Sequence, residues 1–266
     1  MRVFISCDIE GITTTTSWKE TNSHVELRSV PHMNQMTLEA KAACDGAIAA
    51  GADYILVKDA HGSGENIDVS QLPECVEVIR NSSGHPYGMV QGVDDSFSAA
   101  MFVGYHNAAG REGNPMSHTL TLAPHTIKLN GIYCSEFMLY SYACALEGVP
   151  TVFLAGDKQL CDNSSLLHPM LKTVAVKDGV GASTKSISPQ LACKRICEVS
   201  ETALRQDLSK ALCKLPDYFE LSITYREHAR ATRYSYFPGF RKIDDTTLLF
   251  ETKDYYELLR ACQFVF

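Results

Sequence analysis

The sequence predicts an α/β protein in which a mixed or mostly parallel sheet is flanked by helices. Short apolar strands alternate with helical segments: a strand over residues 2–9, a helix over 32–50, and strands over 54–59 and 99–106. The last of these strands, AAMFVGYH, is almost wholly apolar, as expected when both faces of a strand are covered. Strand–helix–strand order is typical of α/β sheets.

The other elements follow from the same patterns. The helix over 32–50 has apolar residues at i, i+3 and i+4 spacing and ends near Gly51. Asn130-Gly131 is a hairpin turn signal. Further strands or extended segments are predicted at 75–81, 118–124, 126–134, 151–157, 173–179, 219–225 and 246–252, and helices at 136–147, 188–208 and 254–266. A smaller C-terminal α+β lobe, residues 212–266, is expected to follow an α/β domain of residues 1–211.

Composition restricts the class of protein. The chain has 266 residues, 45% of them hydrophobic, with a net charge of -7 and no block rich in Lys or Arg, which argues against nucleic-acid binding. No apolar run reaches the roughly 18 residues of a membrane-spanning helix, and none resembles a signal peptide. We therefore expect a cytoplasmic protein whose ten cysteines are reduced.

Two acids end the first strand. In SCDIEG, Asp8 and Glu10 are two residues apart, so their side chains point the same way along a strand. Like charges held together on a half-buried surface repel each other unless a cation lies between them. The pair alone is equally compatible with a solvated strand end.

Other metal-ligating side chains recur at strand ends. His61 follows the second strand and His106 ends the run 99–106, at the edge of the sheet where α/β proteins bind ligands. Glu136 begins a helix, and His118 lies just before it. Nitrogen and oxygen ligands together suit zinc, and this number of them suits two ions that share bridging ligands. Asp59 is a candidate for orienting an imidazole.

The segments SCDIEG, DAHG, GYH, PMSHT and SEF, in this order, resemble the D-aminopeptidase family of binuclear zinc metallopeptidases, the dipeptide-transport-operon type. The resemblance covers essentially the whole chain. It implies that two Zn²⁺ per chain are bound by Asp8, Glu10, His61, His106 and Glu136. It also implies that His118 is catalytic and that subunits form a homo-oligomer of stacked pentameric rings. Gly62 and Ser135 depart from the family pattern, which leaves the substrate preference open.

The expected function is therefore zinc-dependent removal of the N-terminal residue from short peptides, D-residues included, by a zinc-activated hydroxide. Residues 1–211 would form the metal-binding catalytic domain. The alternatives are a dinuclear-metal phosphoesterase or other amidohydrolase, and a non-catalytic zinc-binding oligomeric scaffold. The remaining histidines are interpreted as surface or packed residues: His24, His32, His85, His125, His168 and His228.

Overall fold

The computed structural model describes residues 1–21 and 27–266, and it contains two sheets. The larger has seven strands in the order β3-β2-β1-β4-β7-β8-β9. Neighbouring strands are parallel except for β9, which is antiparallel to β8. Its strands are β1 (Arg2–Cys7), β2 (Tyr54–Asp59), β3 (Val76–Ile79), β4 (Ala99–Tyr105), β7 (Thr151–Asp157), β8 (Lys172–Val180) and β9 (Ser183–Ser186).

The second sheet is antiparallel and has five strands in the order β11-β12-β10-β5-β6. Its strands are β5 (Pro124–Leu129), β6 (Ile132–Tyr133), β10 (Phe219–Tyr225), β11 (Phe240–Lys242) and β12 (Thr247–Thr252). Because β5 and β6 precede residue 212, this sheet draws strands from both sides of the predicted boundary. The division into residues 1–211 and 212–266 stays a prediction.

Helices cover both faces of the larger sheet, and others pack on the second sheet. The helices are α1 (Val30–Ala49), α2 (Glu136–Leu146), α3 (Lys158–Leu167), α4 (Pro189–Leu204), α5 (His228–Tyr234) and α6 (Tyr255–Val265). Of these, α5 and α6 contact strands of the second sheet. Side chains alternate along β1, so that Val3 and Ile5 pack with α1 and α4, whereas Phe4 packs with α2. Burial on both faces explains why the strands are almost wholly apolar.

The predicted fold class is confirmed: mostly parallel strands flanked by helices form an α/β protein. The Asn130-Gly131 turn joins β5 to β6, and both residues have positive φ, as such a turn requires. Residues 118–123 do not form the predicted extended segment, since their only strand pairing among the described residues is an isolated bridge between Thr119 and Thr121, and Pro124 is the first residue of β5. The elements α3, α5, β9 and β11 were not predicted.

Among the described residues, no helix is both long enough and apolar enough to cross a membrane. All ten cysteines are free thiols, as expected. His24 lies outside the described residues.

Candidate metal centre

The predicted ligands meet at the carboxyl edge of three neighbouring strands. Asp8 directly follows β1, His106 directly follows β4, and His61 lies two residues beyond β2. The order β2-β1-β4 makes these strand ends adjacent. Glu136 is the first residue of α2, whose preceding Ser135 caps the helix by accepting a hydrogen bond from the Met138 amide. The helix N-terminus favours the carboxylate there.

Two glycines allow β1 and β4 to approach closely at this edge. The Gly11 amide donates to the carbonyl of Gly104 at 2.7 Å. A Cβ on Gly11 would lie 1.8 Å from the carbonyl oxygen of Tyr105. Gly104 has a φ of +76°, and a Cβ there would lie 2.1 Å from the carbonyl oxygen of Asp8. The glycine that follows Glu10 is therefore required by backbone packing beside the site.

Each imidazole of the strand-end pair faces two carboxylates. His61 Nδ1 lies 3.3 Å from Asp8 Oδ1 and 3.0 Å from Glu10 Oε2. His106 Nε2 lies 3.4 Å from Asp8 Oδ2 and 3.1 Å from Glu136 Oε2. The three acids and His106 are buried. Asp8 is thus common to both halves of the cluster.

Backbone carbonyls fix which ring nitrogen faces the cluster. His106 Nδ1 lies 3.0 Å from the Asn107 carbonyl oxygen, and His61 Nε2 lies 2.9 Å from that of Thr21. Because a carbonyl only accepts, those nitrogens carry the protons, and in the neutral ring the other nitrogen presents a lone pair to the carboxylates. Lone pairs and carboxylates at these distances repel each other unless a cation or protons lie between them.

His118 approaches from the loop between β4 and β5. Its Nδ1 lies 2.9 Å from the Met116 carbonyl oxygen, and its Nε2 lies 3.7 Å from Glu136 Oε1. The ring stacks on His106 with centroids 4.3 Å apart and contacts the edge of Trp18. The ligand atoms of His106, His118 and Glu136 all lie within 4.8 Å of one another. Geometry alone therefore admits His118 either as a proton carrier or as a ligand.

The two acids after β1 titrate in opposite directions. Burial and the charge of Glu10 raise the pKa of Asp8 to about 7. Burial would also raise the pKa of Glu10, but the adjacent His61 imidazolium outweighs it and holds that pKa well below its usual range. When no metal ion is present, the negative charge of this pair therefore lies mainly on Glu10, and Asp8 binds a proton more readily than an ordinary carboxylate does.

The neighbouring charges also shift the pKa values of the imidazoles. Burial opposes protonation of His106, yet the charge of Glu136 raises its pKa to about 10. The pKa of His118 is lowered, first by burial and then by the neighbouring His106 cation. The cluster therefore attracts positive charge, and His118 beside it favours the neutral form.

The donor set fits zinc. Asp8 Oδ2, Glu10 Oε2 and His106 Nε2 are buried and have no hydrogen-bond partner among the described residues. Asp8, Glu10 and His106 place one ligand atom each within 4.8 Å of the others, and His106 also belongs to the group with Glu136. Imidazole nitrogen and carboxylate oxygen are ligands that zinc accepts. Overlapping groups that share a residue are compatible with two ions.

Two supporting residues were missed from the sequence. Lys177 Nζ and Asn114 Nδ2 both donate to the backbone carbonyl of Glu10, the latter at 2.8 Å, and Lys177 also donates to that of Thr15. Both side chains are buried. A lysine within the apolar strand TVAVKDG was a detectable signal for Lys177, whereas nothing near Asn114 in the sequence pointed to this contact.

The interpretation of Asp59 as an imidazole partner was wrong. Its carboxylate accepts hydrogen bonds from the Asn66 amide at 2.6 Å, the Ile67 amide at 2.9 Å and the Asn66 side chain at 2.9 Å. Asn66 Nδ2 also donates to the His61 carbonyl. Asp59 therefore holds the backbone of the loop that carries His61, and not its ring.

A cavity of about 510 Å³ opens onto the cluster. Asp8, His61, His118 and Glu136 line it. Its lining also includes the largely apolar side chains of Met89, Leu120, Leu122 and Tyr140. The volume lies within the ordinary range for small-ligand sites.

Known proteins match this chain over nearly its whole length. The D-aminopeptidase family model, Peptidase_M55, matches residues 1–264. A curated D-aminopeptidase of Bacillus subtilis (strain 168) is 31% identical over 270 residues, covering 98% of this chain and 95% of that protein.

A solved structure agrees with these matches. The Zn-dependent D-aminopeptidase DppA from Bacillus subtilis, described as a self-compartmentalizing protease, superposes with a TM-score of 0.93 at 27% identity. The match covers 100% of this chain and 96% of that one. The resemblance inferred from the five sequence segments is confirmed, and the chain belongs to the D-aminopeptidase family.

Proposed function

We propose that this protein removes the N-terminal residue of short peptides at a centre of two zinc ions. The observation that carries the proposal is the convergence of buried carboxylates and imidazoles, with unpaired ligand atoms, on one cavity. Family membership and the zinc dependence of the Bacillus relative support zinc and aminopeptidase chemistry. The proposed ligands are Asp8, Glu10, His61, His106 and Glu136.

Zinc at this position would lower the pKa of a coordinated water toward about 7 and polarise a peptide carbonyl. The chain supplies the remaining functions. Glu10 and Glu136, which favour the ionised form, supply negative charge that would hold the zinc ions, beside which the α-amino group of a peptide would bind. His118 lines the cavity and, with its neutral form favoured, can accept a proton and return it to the leaving amine.

A substrate panel tests the proposal. The zinc-loaded enzyme should hydrolyse p-nitroanilides of D- or L-amino acids, lose this activity on chelation, and recover it when zinc is restored. Metal analysis should find two zinc ions per chain. Activity that survives complete chelation would contradict the proposal.

The two alternative functions, a phosphoesterase and a structural scaffold, predict different results in the same assays. A phosphoesterase would hydrolyse p-nitrophenyl phosphate, and a structural scaffold would bind zinc without turnover. The family match favours peptide hydrolysis over both.

We propose further that the subunits assemble as stacked pentameric rings that enclose the active sites. The self-compartmentalizing relative supports this, as do the exposed apolar side chains of Leu166, Tyr236 and Phe264. Other aromatics of the C-terminal stretches, such as Tyr255, are buried in the core. Light scattering coupled to gel filtration should find a large assembly, and a monodisperse monomer would refute it. Hydrolysis of casein by the assembly would refute a size filter.

Free thiols fit a reducing compartment and so support the predicted cytoplasmic location, which cell fractionation would test.

A further inference from the structure

Lys58 is a buried cation beside the metal centre. The residue lines the same cavity as Asp8 and His61, and it is only 3% exposed. Its Nζ donates to the backbone carbonyls of Asp59 at 2.6 Å and Asn81 at 2.7 Å. An ammonium group has three N–H donors, so one remains for a ligand.

No carboxylate among the described residues forms an ion pair with Lys58. The nearest candidate in sequence, Asp59, uses its carboxylate to bind the amides of Asn66 and Ile67. Burial lowers the pKa of Lys58 and the neighbouring Asp59 charge opposes that effect, so an anion entering the cavity would further favour the ammonium form. The cavity is therefore lined both by carboxylates of the cluster and by a lysine that has one donor left for a ligand.

Lys58 and Asp8 lie near each other along the sheet. Lys58 pairs with Ser6 across the parallel β1–β2 ladder, and Asp8 lies two residues beyond Ser6. At about 3.3 Å per residue, the backbone of Asp8 is roughly 7 Å further along the sheet than that of Lys58. An extended peptide of two residues, about 7 Å long, is comparable in length with this backbone offset.

We propose that Lys58 binds the C-terminal carboxylate of a dipeptide whose α-amino group lies at the metal centre. This inference rests on the proposed function and makes it more specific: Lys58 is the residue that recognises a free C-terminal carboxylate. Longer peptides would place an uncharged amide beside Lys58 and bind less well.

The wild-type enzyme provides the first test. The ratio of kcat/KM for alanyl-alanine to that for its C-terminal amide is measured with the zinc-loaded enzyme, for both the D and the L compounds. The free acid should be preferred by about 10- to 100-fold, mainly through KM, as expected for one hydrogen-bonded ion pair. Equal values would overturn this inference alone. Hydrolysis of neither compound would overturn the proposed function as well.

Matched variants provide the second test. Lys58→Met should bring the acid-to-amide ratio close to one by lowering kcat/KM for the acid. Lys177→Met is the control, because Lys177 is also buried and also donates to two backbone carbonyls, yet does not line this cavity. It should lower both activities and keep the ratio. A Lys58→Met enzyme that also keeps the wild-type ratio would show a structural role for Lys58 and overturn the inference. Should this variant fail to fold, equal values for acid and amide in the wild type would still overturn the inference.

Discussion

Two buried histidines beside the same helix differ in what surrounds them. His106 faces Asp8 and Glu136, the first residue of α2, and its pKa is raised to about 10. His168 lies against the middle of α2, where its Nε2 is 3.4 Å from Ser141 Oγ and its ring meets the edge of Phe137. Burial lowers its pKa to about 4.

The difference shows what makes a buried histidine a candidate ligand. Burial by itself disfavours the imidazolium and leaves a neutral core residue, as at position 168. Only the carboxylates around His106 reverse that effect, and they make the surroundings attract any cation. The neighbouring charges, and not the depth of burial, separate the two sites.

Removing a ligand should give the largest effect. His106→Ala, Asp8→Ala or Glu10→Ala should each lower bound zinc and abolish hydrolysis together, because ligands of a shared centre act as a unit. Metal content and kcat/KM are measured on the same preparations. His168→Gln is the matched control and should keep both. Near-wild-type zinc and activity in Glu10→Ala would refute the ligand set.

His118 tests whether a histidine of the cluster can serve chemistry and not metal binding. His118→Ala should keep zinc and fold but lose turnover by about 100- to 10,000-fold, the range for a general acid or base. Metal content and single-turnover kinetics, measured on the same preparation of the variant, distinguish the two roles. If the variant purified without zinc, His118 would be a zinc ligand. The ligand atoms of His118, His106 and Glu136 lie close enough together to permit that role.

Chelation should destabilise the wild-type protein. Zinc that binds only the folded state stabilises it by about 4 kcal/mol when free zinc is about 1,000 times its Kd. For a chain of this size that corresponds to a fall in Tm of about 10 °C on chelation. Calorimetry with and without chelator measures it, and Glu10→Ala should show a much smaller shift. A Tm independent of chelation would contradict a zinc site linked to folding.

The predicted ligands met because parallel strands bring their carboxyl ends to one edge, which short sequence patterns can indicate. The contacts that hold this edge are non-local and could not be inferred in this way. Lys177 and Asn114 reach the Glu10 carbonyl from distant parts of the chain. Asp59 was misassigned because the fold of the loop up to Ile67 determines which donors its carboxylate meets. The pairing of β5 with β10 likewise joins distant segments.

The smallest expected effect concerns His168. Its folded-state pKa of about 4 lies below the unfolded value of about 6.5, so the folded state binds this proton less readily. The stability that the neutral ring contributes is therefore fully present above pH 6.5 and is lost as the pH falls toward 4. Between pH 7 and pH 5 this amounts to about 2 kcal/mol.

Chemical denaturation of wild type and His168→Gln at both pH values isolates that loss, since other titrating groups are common to both proteins. The wild type should lose about 2 kcal/mol more than the variant between pH 7 and pH 5. His125→Gln, at an exposed position, should behave as wild type does. If His168→Gln were as acid-sensitive as wild type, His168 would not be buried in the neutral form. Its contrast with His106 would then no longer separate a core histidine from a metal-site histidine.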